Sequence, residues 1–120
     1  METHARIHPY QPDHLPAVVV RYLRAHPTHD TDAAATTFAD GARVVDEDVT
    51  YRGAEAIRGW LADAASEYTY TTTLTGQTED EPGRWTVLAR LEGDFPGGVA
   101  DLRFRFRIDG DKIAELVIAP

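Results

Sequence analysis

From Leu102 to Ile108 apolar and basic residues alternate without a break. Leu102, Phe104, Phe106 and Ile108 fall on one side and Arg103, Arg105 and Arg107 on the other. A period of two marks a strand with one face in a core and one in water. The pattern extends in both directions. Trp85, Val87, Ala89 and Leu91 share a side over Trp85–Glu92, and Ile113 to Ala119 follows the tight Asp109-Gly110-Asp111 turn. Tyr68 to Thr78 is rich in Tyr and Thr, which favour strands. Glu79 to Gly83 and Pro96-Gly97-Gly98 supply turns between these runs. The second half of the chain is therefore read as hairpin-linked strands, an antiparallel sheet that needs cover on its apolar face.

The first half supplies that cover. Leu15, Val18, Val19, Tyr22 and Leu23 recur at helical spacing, with Asp13 as a cap, Pro16 in the first turn and an end near His26-Pro27. A second helix is expected from Asp30 or Thr31 through Phe38, closed by Gly41. Arg43 to Val49 reads as a strand ended by Arg52-Gly53. A third helix runs from Ala54 to Ser66, with Ile57, Trp60, Leu61, Ala64 and Ala65 on one face. The expectation is an α+β fold with helices gathered on one face of a curved, mostly antiparallel sheet, leaving a cone open at one end. Residues 1–12 lack periodicity and read as a loosely ordered tail before a single domain over 13–120.

Composition removes several function classes. A chain of 120 residues has room for one core. Its 12 Lys and Arg stand against 20 Asp and Glu, a net charge of -8. Such a surface repels a nucleic-acid backbone and an anionic membrane, so neither is expected as a partner. There is no cysteine, hence no disulfide, thiolate nucleophile or thiolate metal site. Neither a signal peptide nor a membrane span is read in the chain, the longest aliphatic run being Ala17 to Val20, and a cytoplasmic location is expected.

Four phrases, in order, carry a family resemblance: Ala17-Val18-Val19-Val20-Arg21-Tyr22; Phe38-Ala39-Asp40-Gly41-Ala42-Arg43-Val44-Val45-Asp46; Arg52-Gly53-Ala54-Glu55-Ala56-Ile57-Arg58; and Phe106-Arg107-Ile108-Asp109-Gly110-Asp111-Lys112-Ile113. With the order of elements they resemble the nuclear-transport-factor-2-like superfamily, which includes ketosteroid isomerases and SnoaL-type polyketide cyclases. The resemblance implies a cone-shaped fold around an apolar pocket and a homodimer through the outer sheet face. It places Tyr22 on the tyrosine that donates a hydrogen bond to the substrate oxygen, and Asp46 on the aspartate that moves the proton. The family's second donor, a protonated aspartic acid, falls on Phe104, which has no proton to give. A further pocket tyrosine falls on Leu61.

Read without the family, Asp46 shares its strand face with Ala42 and Val44, which points it inward; an acidic turn at Asp46-Glu47-Asp48 points it to solvent. Tyr22 is either a core tyrosine or a donor aimed at the space near Asp46. Phe38, Trp60, Leu61, Tyr70, Trp85, Phe104, Phe106, Leu116 and Ile118 are expected to line the pocket. Ser66 has no histidine phased to it. His26 and His29 fit no familiar metal spacing, and His4, His8 and His14 read as solvent-exposed. Arg90 and Glu92, candidates for an epoxide-hydrolase-like trio, fall on the polar side of their strand. No metal or cofactor is expected. The Arg103, Arg105, Arg107 stripe shares the outer face with Thr69, Thr71, Thr73 and Thr75, and would pair with acids such as Glu92 and Glu115.

Three functions stay open. One is an isomerase or cyclase with Asp46 as base and Tyr22 as donor. Another is a binding protein for an apolar small molecule. The third is a dimeric interaction module with a filled cone.

Overall fold

The computed structural model describes residues 7–26, 28, 30–63 and 69–120 in full, and the backbone of 64–67. His4, His29, Tyr68 and the side chains of Ala64, Ala65 and Ser66 lie outside the described residues. Helix α1 (Ala17–Ala25) presents Val18, Val19, Tyr22 and Leu23 to the core. It begins at Pro16 as N-cap, and Asp13 sits in a separate 3-10 turn, Pro12–His14. Contrary to expectation, Asp13 therefore does not cap α1.

Helix α2 (Thr31–Ala35) is one turn, not the longer helix expected through Phe38. The Asp30 side chain accepts from Ala33 N and opens it. Two threonines end it: Thr36 Oγ1 donates to the Ala33 carbonyl at 2.7 Å and Thr37 Oγ1 to the Ala34 carbonyl at 2.6 Å. These side chains take the carbonyls a further turn of helix would need. Strand β1 (Phe38–Asp46) starts at once. Gly41 lies within it at φ 72°, where its register with the neighbouring strand shifts. It marks a bulge that only glycine enters without strain, not a helix end.

The run expected as one strand over Arg43–Val49 is instead a hairpin between β1 and β2 (Val49–Arg52). Its turn is Glu47-Asp48, with φ of 51° and 64°. Both residues take the left-handed conformation that two-residue hairpins demand. Helix α3 (Ala54–Glu67) then crosses to the far edge of the sheet, burying Ile57, Trp60 and Leu61. Strands β3 (Tyr70–Glu81), β4 (Arg84–Gly93), β5 (Val99–Asp109) and β6 (Lys112–Ala119) complete the chain.

The single six-stranded sheet has the order β2-β1-β6-β5-β4-β3. All pairings are antiparallel except β1 with β6. Bulges in β1, β3 and the β5–β6 pair bend the sheet. The expected α+β architecture, cone-shaped and mostly antiparallel with three helices on one face, is thus the observed one. Val44, Leu116 and Phe106 form one rung across its helix-covered face, and Ile118 and Phe104 the next. Residues 7–12 of the expected tail lie against the sheet. His8 exchanges two 2.8 Å backbone hydrogen bonds with Gln77, and Gln11 N donates to Gln77 Oε1 at 2.7 Å.

Candidate functional site

Asp46 is the last residue of β1, half-buried, opposite Val49 on one side and Ile118 on the other. Its side chain turns toward the helices. Trp60 Nε1, from the middle of α3, donates to Asp46 Oδ2 at 3.0 Å. The alternation of Ala42, Val44 and Asp46 thus sets direction, and the outward reading of Asp46 does not hold. Tyr51 tilts against the Trp60 ring at 6.1 Å, backing the indole.

Tyr22 is fully buried. Phe38 and Phe106 meet its ring edge-on at 5.7 and 5.8 Å. Its hydroxyl lies 3.3 Å from His26 Nδ1, one helical turn on. His26 Nε2 lies 3.0 Å from the Tyr70 hydroxyl at the start of β3. Tyr22, His26 and Tyr70 therefore form one chain of polar contacts joining α1 to β3. The imidazole also meets Phe104 edge-on at 6.1 Å. It fills the space beside the residue that cannot donate.

The electrostatics join this chain to Asp46. Burial pushes the Tyr22 phenol well above its usual range, with Tyr70 and the Asp46 charge adding in the same direction. Burial raises Tyr70 as well, again with a contribution from Asp46. Both hydroxyls stay protonated at neutral pH, as hydrogen-bond donors must. Gly93 lets β3 come close at this point: a Cβ there would overlap the Thr69 carbonyl and the Cα and Cβ of Tyr70. His26, Tyr70, Leu61 and Ala34 line a small cleft of about 10 Å³ between α1, α2 and β3.

The other expected lining residues divide. Phe38, Trp60, Leu61, Phe104, Phe106, Leu116 and Ile118 are all buried on the helix-covered face. Trp85 shares the rung of Phe106 but lies nearer the far edge, half-buried, where it lines a separate cleft with His8 and His14. His26, in sequence only a weak metal candidate, is the member of the polar chain that the residue pattern did not bring forward. The signal that could have found it is its spacing of four from Tyr22. Among the described residues no three His, Asp or Glu side chains converge to hold a metal. No helix of the described residues is long and apolar enough to cross a membrane.

On the outer face Arg90 pairs with Asp101 at 2.9 Å. Glu115, expected to pair with the arginine stripe, is taken by Arg43 instead, which stands opposite it on β1.

A candidate polyketide cyclase from Sinorhizobium meliloti is 34% identical to this chain, with a TM-score of 0.85 over 92% of it and 100% of that chain. The chain belongs to the nuclear-transport-factor-2-like superfamily. Two solved structures of lower identity share the fold. A Catenulispora acidiphila protein with a ketosteroid-isomerase-like fold, in complex with trimethylamine, is 22% identical with a TM-score of 0.76, covering 88% of this chain and 85% of that one. A Mycobacterium tuberculosis protein in complex with estradiol-17β-hemisuccinate is 15% identical with a TM-score of 0.72, covering 87% and 91%. No protein-family model matches the sequence, and no curated protein matches it significantly.

Proposed function

We propose that this chain is an isomerase or cyclase that moves a proton next to a carbonyl of an apolar, polycyclic small molecule. The observation that carries the reading is the pairing of a carboxylate and a phenol on the covered face. Trp60 turns Asp46 toward the helices, onto the covered face where the Tyr22 phenol is buried. The Asp46 carboxylate removes a proton from the carbon beside the carbonyl. The C–H electron pair becomes the new C=C bond, and the carbonyl π pair moves to oxygen. The phenol side of the site holds that oxygen by hydrogen bonding. The oxygen pair then re-forms the carbonyl, the enolate C=C pair shifts to the α,β bond, and the β,γ π pair of the substrate takes the proton back from Asp46 at the γ carbon. The carboxylate is thereby regenerated, and the β,γ-unsaturated ketone becomes the α,β-unsaturated one with no net gain or loss. Ketosteroid isomerases divide the labour in the same way, between a carboxylate base and donors to the oxygen.

The polyketide and steroid ligand classes come from the relatives, and the apolar character of the covered face, where Phe38, Leu61, Phe104 and Phe106 are buried, is compatible with them. A homodimer through the outer sheet face is part of the same proposal. A second reading, ligand binding without turnover, is favoured by Phe104, which leaves the oxygen without the family's second acid. The test is isomerisation of a β,γ-unsaturated ketone, such as a Δ5-3-ketosteroid, by wild type and Asp46→Asn. Activity in the wild type that is abolished in a folded Asp46→Asn supports the enzyme. Tyr22→Phe should slow it less completely. Binding of estradiol-17β-hemisuccinate without turnover supports the second reading.

A further inference from the structure

The outer face of the sheet carries a charge pattern that the helix-covered site does not use. Along β5, Arg103, Arg105 and Arg107 take three successive outward positions, and Arg84 on β4 stands directly opposite Arg107. Like charges that face each other across two strands repel. The acids that could separate them are engaged. Glu115, opposite Arg107 on β6, is held by Arg43, and Asp80 accepts from the Thr86 hydroxyl at 2.6 Å. Arg84 has a 3.9 Å contact with the exposed Glu81. Arg103, Arg105 and Arg107 have no ion pair among the described residues.

These four arginines line one groove of about 510 Å³, within the roughly 300–1,000 Å³ of small-molecule clefts. Ile7 walls it on the β3 side. Its side chain occupies the space over Gly76, where a Cβ would come within 2.9 Å of Ile7 Cγ2. The groove gathers four arginines and two acids in a chain of 12 Lys and Arg against 20 Asp and Glu, so its sign opposes that of the molecule. The stripe also has an end. The next outward residue on β5 is Asp101, bound to Arg90 at 2.9 Å, and Glu92 lies one pair further along β4. From Arg103 to Arg107 the strand rises about 13 Å. A longer anion, such as a polynucleotide, would run onto these acids. A second copy laid on this face brings Asp101 and Glu115 already held by arginines, which leaves its Glu92 to answer four cations.

We infer that this groove is a binding site for a small polyanion, a molecule with two or more phosphate or carboxylate groups. One group sits between Arg84 and Arg107, and the next lies along the stripe toward Arg105 and Arg103. A guanidinium fork pairs with both kinds of oxyanion, two N–H groups to two oxygens. The bound charge removes the repulsion between Arg84 and Arg107. The site lies on the opposite face of the sheet from Asp46 and Tyr22 and does not rest on the proposed proton transfer. It is compatible with a dimer through the same face, since a bound polyanion neutralises the cations that a second copy leaves unanswered.

The test is titration calorimetry of the intact protein with sodium tripolyphosphate and with citrate, at one ionic strength held with sodium chloride. The expected result is saturable binding of at least one of them, at one site per chain. Tighter tripolyphosphate assigns the site to phosphorylated molecules, and tighter citrate to polycarboxylates. Arg107→Gln and Arg105→Gln should each weaken binding by about tenfold or more, the worth of one charge-assisted hydrogen bond. Arg52→Gln, which removes an exposed arginine outside the groove, should leave it unchanged. Saturable binding of neither anion overturns the inference. So does an equal loss in Arg52→Gln and Arg107→Gln, because net charge and not the groove would then be read. A ten-nucleotide oligothymidylate that binds as tightly as tripolyphosphate overturns the limit on length. Binding that appears only when a dimer is diluted to monomer gives the groove to the second copy and overturns the small polyanion. Failure of the proton-transfer reading shows separately, as Asp46→Asn with wild-type turnover or a wild type without turnover, and leaves these titrations unchanged.

Discussion

Trp60 Nε1 and Asp46 Oδ2 meet at 3.0 Å, tying the middle of α3 to the end of β1. A carboxylate at a strand end has several rotamers within reach. This bond selects the one on the helix-covered face. Trp60→Phe keeps the ring packing against Tyr51 and removes only the donor. The expected result is a loss of about tenfold in kcat on a β,γ-unsaturated ketone with little change in KM, since a misdirected base costs rate more than ground-state binding. An unchanged kcat would mean that Asp46 needs no orienting partner.

Tyr22 should make the protein sensitive to alkali. Burial raises its pKa well above the ordinary 10.0 in the folded state. Below that ordinary value both folded and unfolded forms carry the neutral phenol, and stability is unaffected. Above it the unfolded chain ionises first, so stability falls as pH rises, by up to about 1.4 kcal/mol per pH unit for this one group. Urea unfolding at about pH 9 and about pH 11 should show a smaller alkaline loss for Tyr22→Phe than for wild type. Equal losses would place the tyrosine in contact with water.

Much of this site was legible in the residues, and the reasons are physical. The period of two along Ala42, Val44 and Asp46 fixes which way the carboxylate turns, and the helical spacing of Ile57, Trp60 and Leu61 fixes the face of α3. The short α2 was not legible, because Thr36 and Thr37 end it with side-chain bonds that helical periodicity does not reveal. Nor was the β1–β2 turn, since Glu47-Asp48 contains no glycine although both take positive φ. The Tyr22–His26 half of the polar chain follows from a spacing of four. The His26–Tyr70 half spans 44 positions and exists only once β3 is folded against α1.

Gly93 should tolerate no side chain. A Cβ there would collide with the Thr69 carbonyl and Tyr70, backbone atoms that cannot swing aside. Gly93→Ala is expected to destabilise the fold by about 1–3 kcal/mol. It should also displace the Tyr70 hydroxyl from His26. A urea midpoint equal to that of wild type would show that β3 and β4 separate freely at this end.

The arginine stripe bears on assembly. Arg84, Arg103, Arg105 and Arg107 line one outer groove of about 510 Å³ with Asp80 and Glu115. Both acids are engaged, Asp80 by the Thr86 hydroxyl and Glu115 by Arg43. Among the described residues Arg103, Arg105 and Arg107 have no ion pair. In a homodimer through this face, three such cations would meet acidic residues of the same face in the second copy, such as the exposed Glu92. Sedimentation velocity at micromolar concentration should therefore show a dimer that weakens with salt, because exposed charges are screened beyond about 10 Å at 0.1 M. Arg105→Glu should loosen it by about tenfold or more, as a like charge replaces an attractive one at the centre of the stripe. A wild type that stays monomeric, or a dimer indifferent to Arg105→Glu, would leave the stripe without a part in assembly.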